Sequence, residues 1–581
     1  MFARTVILCL TCFAISFASA NAQINQKQQS RIQTIQKIAP SVVCVMPAGG
    51  QGGGSGVLIS ADGFAISNYH VTSGSGNFMK CGLNDGKLYD AVIVGIDPTG
   101  DIALIKLLGR DDFPFCTPGD SDTVKVGDEV LALGNPFLLA DDFSPTITYG
   151  IASGVHRYQY PADTFLEYTD CIQIDASINP GNSGGPLFDI QGRWIGINGR
   201  ASFEKRGRIN SGAAYAISVN QILLFIDHLK SGRIVDHGRT EFTVATYDDT
   251  VEIDQVSELS DVWRRGMRPG DELISFGGRA ISSANDFKNI VGIFPENTRV
   301  PVTFRNSDGV QTVTTRLSAL HQFQKAPALP QGRQPEEGEN PLQAPKEKNK
   351  DLLDTTPQPP EKFTDLFVEQ DGFTNFYFNQ QRTKQILDPA LKAIGLEASP
   401  PSSTWKIQVS ASIDGIEYPG VITVNQKAAG IDLQGLPSII QDADQMTGDS
   451  ELPELHGLLA GTLQWHRLFT QQKDGFSEVL SFGAERLLPS GDNAQILQTR
   501  SGSTISRWGF TKESSLPTSV DVAFSSDTDE ARIRFEGWKI EQPFPTPQRI
   551  GVVNHDSETI IWLTVNSVKT ASRQDQQQGS N

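Results

Sequence analysis

Ser183 lies in Gly181-Asn182-Ser183-Gly184-Gly185-Pro186-Leu187, a hydroxyl nucleophile set in a turn built from glycines. Without Cβ atoms the backbone can close on a substrate carbonyl. The N–H groups of Gly181 and Ser183 can then converge on the oxygen that becomes negative during acyl transfer. A serine is inert at neutral pH by itself, so the motif means catalysis only with a histidine base and a carboxylate to orient it.

His70 is the candidate base. The stretch Gly54 to Val71 reads as strand, Asp62-Gly63 turn, strand, and then the histidine at the strand's end, a hairpin that delivers one imidazole to a rim. The chain has 8 histidines, and His156, His228 and His237 in the same region lack such a frame. Asp101 opens the apolar run Ile102-Ala103-Leu104-Ile105-Lys106-Leu107, where a carboxylate can be buried against an imidazole N–H. Asp97 is its rival, but a place before Pro98 suits turn formation better.

The order His70, Asp101, Ser183 in these frames resembles the chymotrypsin-like serine proteases, and among them the HtrA/DegP family. The resemblance spans residues 40 to 235 and is carried by Pro40-Ser41-Val42-Val43, Asn68-Tyr69-His70-Val71, Asp101-Ile102-Ala103-Leu104, Val126-Gly127-Asp128, Leu133-Gly134-Asn135-Pro136-Phe137 and Asp175 through Ser183. It implies two six-stranded β-barrels with His70 as general base, Asp101 as its orienter, Ser183 as nucleophile, and the Gly181 and Ser183 amides as oxyanion hole. It also implies unfolded or extended protein substrates, no cofactor or metal, and trimer packing through the N-terminal segment. Asn182 cannot pair with a freed N-terminal amine as an aspartate would, so activation by propeptide cleavage is not expected. Ser177 stands where a carboxylate would select basic side chains. A neutral pocket near Ser177, Ile195, Gly196 and Ile197 points to apolar ones.

At 581 residues, the chain is too long for one core and is expected to be multidomain and mainly β. Its 67 acidic against 49 basic residues give a net charge of −18, a surface that repels nucleic acid and anionic membrane. Arg4, the apolar run Val6 to Ala18 and Ala18-Ser19-Ala20 read as a secretory signal over residues 1–20, cut after Ala20 or Ala22. The run is short for a membrane span, and a periplasmic or secreted location follows. Of the cysteines, Cys44, Cys81, Cys116 and Cys171 remain after export, none at metal-ligand spacing. Disulfides or four buried thiols are both open.

Residues 21–40 form an N-terminal segment with a weakly amphipathic helix, and 41–235 the protease domain. Residues 236–320 resemble a PDZ domain through Gly266 to Phe276, a helix over Ser283 to Val291 and strands Arg299 to Phe304 and Thr312 to Leu317, though the peptide-receiving loop is not evident near Glu241 to Tyr247. The proline-rich stretch 321–361 reads as an extended tether. Residues 362–570 show alternation fitting antiparallel strands, interrupted by a helix over Leu452 to Phe469. They resemble weakly the half-barrel of periplasmic lipoprotein carriers; an adhesion or scaffold module fits as well. A tail follows at 571–581. Besides a serine endopeptidase in envelope quality control, the chain could be a chaperone-like or scaffold protein with a silent protease fold. The joint presence of His70, Asp101, Ser183 and the glycines argues against that.

Overall fold

The computed structural model describes residues 26–47, 53–135, 142–159, 166–203, 210–327, 361–394, 404–442, 453–487, 491, 493–523, 529–540, 544–553 and 559–571. The stretch read as a secretory signal, most of that read as a proline-rich tether and nearly all of that read as a C-terminal tail lie outside them. The chain divides into two compact units, residues 1–224 with 326–367, and 225–325 with 368–581.

The first unit holds two closed six-stranded antiparallel barrels. A helix over 26–38, α1, precedes them; Ile38 is buried, Ile32 is exposed, and Thr34 Oγ1 donates to Ile190 O at 3.2 Å. The first barrel comprises β1 (Val42–Pro47), β2 (Gly54–Leu58), β3 (Phe64–Ser67), β4 (Phe78–Gly82), β5 (Leu88–Asp97) and β6 (Ile102–Leu107), in the order β1-β2-β3-β6-β5-β4. Short strands rich in Val and Ile, with Asp-Gly turns at Asp62-Gly63 and Asp85-Gly86, favour this closure. The second comprises β7 (Glu129–Gly134), β8 (Thr146–Gln159), β9 (Tyr168–Ile174), β10 (Pro186–Asp189), β11 (Trp194–Phe203) and β12 (Asn210–Ser218), ordered β10-β11-β12-β9-β8-β7. Its core packs Val130, Ala132, Ile172, Ile174, Leu187, Ile195 and Ala216.

Among the described residues, Cys44, Cys81, Cys116 and Cys171 are free and buried. Burial pushes the Cys44 thiol up to about 11 and the Cys116 thiol up to about 12, so these are inert apolar side chains in the barrels.

In the second unit, strands Phe242–Tyr247, Thr250–Val256, Glu272–Phe276, Arg279–Ala280, Arg299–Asn306 and Gly309–Arg316 form one sheet with helices Asp261–Arg264 and Ala284–Val291. Ser283 caps the latter helix, its side chain accepting from Asp286 N at 3.0 Å. After residue 375 comes an 11-stranded antiparallel sheet with a helix over Pro453–Gln471 packed on it. Trp405, Trp465, Phe469, Phe535 and Phe544 fill the space between helix and sheet. A second helix, Phe376–Ile394, was not expected: Leu387, Ala390 and Ile394 are its buried stripe, and the internal Pro389 disguised it as non-helical. His456 Nδ1 is 2.9 Å from Gln441 Oε1, and the His466 ring is tilted against Trp405 with centroids 4.6 Å apart.

The two parts of this unit share a charged cluster. Arg299, Arg316, Arg507 and Arg532 surround Asp521 and Glu530, each largely buried, with Arg507 Nη1 at 2.6 Å from Glu530 and Arg299 Nη1 at 2.9 Å from Asp521. Burial raises the Glu530 carboxyl, but Arg316, Arg299 and Arg507 outweigh it and hold the group well below its ordinary range. Among the described residues no helix is long and apolar enough to cross a membrane.

Candidate active site

The hairpin expected before His70 is formed by β2 and β3, joined through Gly63 with Ile59 N donating to Phe64 O at 2.9 Å. The histidine sits three residues beyond the end of β3, in a single helical turn, α2 (Tyr69–Thr72), whose N-cap position is the buried Asn68. That turn carries His70 to Asp101: Nδ1 of the imidazole lies 2.7 Å from Asp101 Oδ2, and the His70 backbone N–H donates to Oδ1 at 2.9 Å.

Asp101 is fully buried immediately before β6, with φ of +59°, a left-handed conformation that Asp and Asn tolerate better than other residues with a Cβ. Its carbonyl oxygen explains how the conformation is held, since it accepts from Asn68 Nδ2 at 2.9 Å and from Tyr69 N at 3.2 Å. Asp97 is also buried but serves the turn, its Oδ1 accepting from Gly100 N at 2.8 Å. Burial pulls the His70 imidazole down, but the Asp101 charge and hydrogen bond more than offset it, leaving its pKa above the ordinary 6.5.

Sequence reasoning missed Tyr168. At the start of β9, its hydroxyl donates to Asp101 Oδ2, and its ring packs against Gly199, where an added Cβ would lie 2.5 Å from the ring edge. No local pattern marks a tyrosine 67 residues from its acceptor; only the pairing of strands in the second barrel brings it there.

The Ser183 turn is clamped from both sides. Ser55 N on β2 donates to Ser183 O at 2.8 Å, and Gly184 N donates to Asn198 O on β11 at 2.7 Å. Gly181 adopts φ of +101° and Gly184 φ of +81°. Ser55 Oγ donates to Gly181 O at 2.6 Å while accepting from Asn135 N at 2.8 Å, which turns the Gly181 carbonyl inward to the first barrel. Among the described residues the Gly181 and Ser183 amides have no acceptor, as an anion-binding pair requires. Ser183 Oγ lies 3.4 Å from Gly199 O, a long contact, and no hydrogen bond joins it to His70 in this structure. The structure thus joins His70 to Asp101 and leaves the serine hydroxyl turned toward β11.

Of the pocket residues, Ser177 is exposed. Ile195 and Ile197 are 2% and 0% exposed, with Ile195 in the barrel core, and a Cβ on Gly196 would meet Ile217 O at 2.4 Å. The period-2 pleat turns both isoleucine side chains to the buried side of β11. Gly199, whose carbonyl is the near neighbour of Ser183 Oγ, and Tyr168, packed against Gly199, are themselves buried.

Residues 54–197 match the trypsin-like peptidase domain. The chain is 34% identical over 278 residues to a DegP-like periplasmic serine endoprotease of a Marinomonas species, covering 46% of this chain and 57% of that protein. It is 34% identical over 259 residues to a protein of the same name from Chlamydia muridarum, covering 42% and 50%. A solved structure of an HtrA-type protease AlgW with tripeptide is 29% identical, covering 50% of this chain and 96% of that chain, with a TM-score of 0.41. The chain spans about half the length of the curated relatives it matches.

Proposed function

We propose that this chain, HtrA/DegP-like and trypsin-fold in its protease half, is a serine endopeptidase acting on extended polypeptide by way of an acyl-enzyme. The observation that carries the reading is the buried Asp101 carboxylate 2.7 Å from His70 Nδ1, with the Ser183 turn clamped across the same cleft. Asp101 fixes the Nδ1–H tautomer and so leaves Nε2 as acceptor. As substrate settles, the Ser183 hydroxyl rotates from Gly199 O to His70 Nε2, the kind of tightening that catalytic hydrogen bonds undergo in the reactant complex.

The Ser183 oxygen then attacks the scissile carbonyl carbon while its proton passes to Nε2. The carbonyl oxygen, now an anion, is held by the Gly181 and Ser183 amides. Nε2 returns the proton to the amine, the C–N bond breaks, and the acyl group stays on Ser183. Water attacks the ester by the same route, giving its proton to Nε2, and the carboxylate product and Ser183 hydroxyl are released. Export by the N-terminal signal to the periplasm, a role in envelope protein quality control, a regulatory PDZ-like module at 236–320 and trimer assembly accompany this reading. The relatives' periplasmic names support the location.

The test is labelling by a fluorophosphonate together with cleavage of denatured casein. Ser183→Ala should abolish both while leaving the circular dichroism unchanged; wild-type turnover in that variant would refute the assignment. A silent scaffold would neither label nor cleave.

A further inference from the structure

Three side chains that the catalytic reading does not use, from three elements of the first unit, converge. Asp122 lies in the one-turn helix Ser121–Thr123, His156 on β8 and Asp170 on β9, and each offers a ligand atom within 4.8 Å of the others. His156 Nδ1 is 2.6 Å from Asp170 Oδ1.

Asp170 is 3% exposed, so its desolvation cost is already met in the fold, whereas Asp122 and His156 open to solvent. His156 sits where the β8–β9 register shifts, between Gly154 and Arg157 and again before Gln159. Such a bulge re-aims a side chain that regular pleating would direct elsewhere. Both His156 and Asp170 hold left-handed backbone, at φ of +53° and +51°. The third donor is placed by its own support: Asp120 Oδ1 accepts from Asp122 N at 3.0 Å and from Asn220 Nδ2 at 2.8 Å.

We propose that Asp122, His156 and Asp170 form a binding site for a divalent cation of the zinc class. One imidazole nitrogen and two carboxylate oxygens are a donor set that zinc accepts with a water in the fourth position. Calcium and magnesium favour all-oxygen shells, which the imidazole disfavours. No local motif marks the site, since the ligands stand 34 and 14 residues apart and match no ligand spacing.

The experiment titrates Zn²⁺ into chelator-stripped, tag-free full-length chain carrying Ser183→Ala, which prevents self-digestion, and follows binding by calorimetry and Co²⁺ by its visible absorption. The expected result is one equivalent bound with a tetrahedral Co²⁺ spectrum. In the same background His156→Gln and Asp122→Asn, both at solvent-facing positions, should each weaken binding at least about tenfold, while His70→Ala should leave it in place. An ion pair only, with no saturable Zn²⁺ binding, would overturn the proposal. So would binding that His70→Ala removes and His156→Gln does not.

Discussion

Asp101→Asn separates the orienting carboxylate from every other part of the site. Asp101 accepts from three donors: the His70 backbone N–H and Nδ1, and the Tyr168 hydroxyl. An asparagine has one acceptor oxygen. If that oxygen faces the His70 backbone N–H, which cannot change its role, the amide NH2 faces Nδ1. The imidazole must then take the Nε2–H tautomer, and the base carries a proton where it should accept one. If the amide flips, two buried N–H groups confront each other at a cost of about 1–3 kcal/mol. The first arrangement is preferred, and it removes the base without moving an atom of Ser183. The expected loss in kcat is about 10⁴-fold, or about 5.4 kcal/mol in the barrier, with KM little changed. Steady-state hydrolysis of a short unstructured peptide measures this, with circular dichroism to confirm folding. Asp97→Asn is the comparison: its carboxylate supports the Gly100 turn, so stability should fall while kcat stays near wild type. A damaging Asp97→Asn beside an active Asp101→Asn would refute the reasoning.

Three other outcomes are expected. Because His70 must be neutral to accept the serine proton and its pKa lies above 6.5, the acid limb of kcat/KM against pH should fall above that value; a limb at or below 6.5 would contradict the Asp101 pairing. Gly184→Ala should lose about 2–5 kcal/mol in urea unfolding, since φ of +81° is strained for alanine and its Cβ would lie 2.3 Å from Ser55 O; unchanged stability would mean the clamp is looser than described. Glu530→Gln should cost about 3–5 kcal/mol by leaving Arg299, Arg316 and Arg507 short of a counter-charge, and wild-type stability would show the cluster relaxes freely. The sign with pH follows from the lowered carboxyl: the Glu530 contribution is complete above the ordinary glutamate range and is lost as pH falls through the native pKa.

The candidate catalytic residues were legible in sequence because local chemistry marks each one. An Asp-Gly turn frames the hairpin before His70, an apolar strand follows Asp101, and a glycine cluster surrounds Ser183; each signal lies within a few residues of the group it positions. The alternation in Trp405 to Ile413 and Ala531 to Trp538 likewise marked strands, since a half-buried strand repeats every two residues. Helix Phe376–Ile394 is poorly marked locally, since it carries Pro389 inside it and its buried apolar side chains are few, Leu387, Ala390 and Ile394. Tyr168 over Asp101, the convergence of Asp122, His156 and Asp170, and the Arg299–Asp521–Glu530 cluster belong to another class. Each joins residues whose sequence separation carries no pattern. Local turn and strand preferences act through neighbouring residues, and these the sequence states by itself. Barrel closure and strand register decide which distant side chains share a face, and a shift of one residue would turn Tyr168 and Asp170 away from their partners.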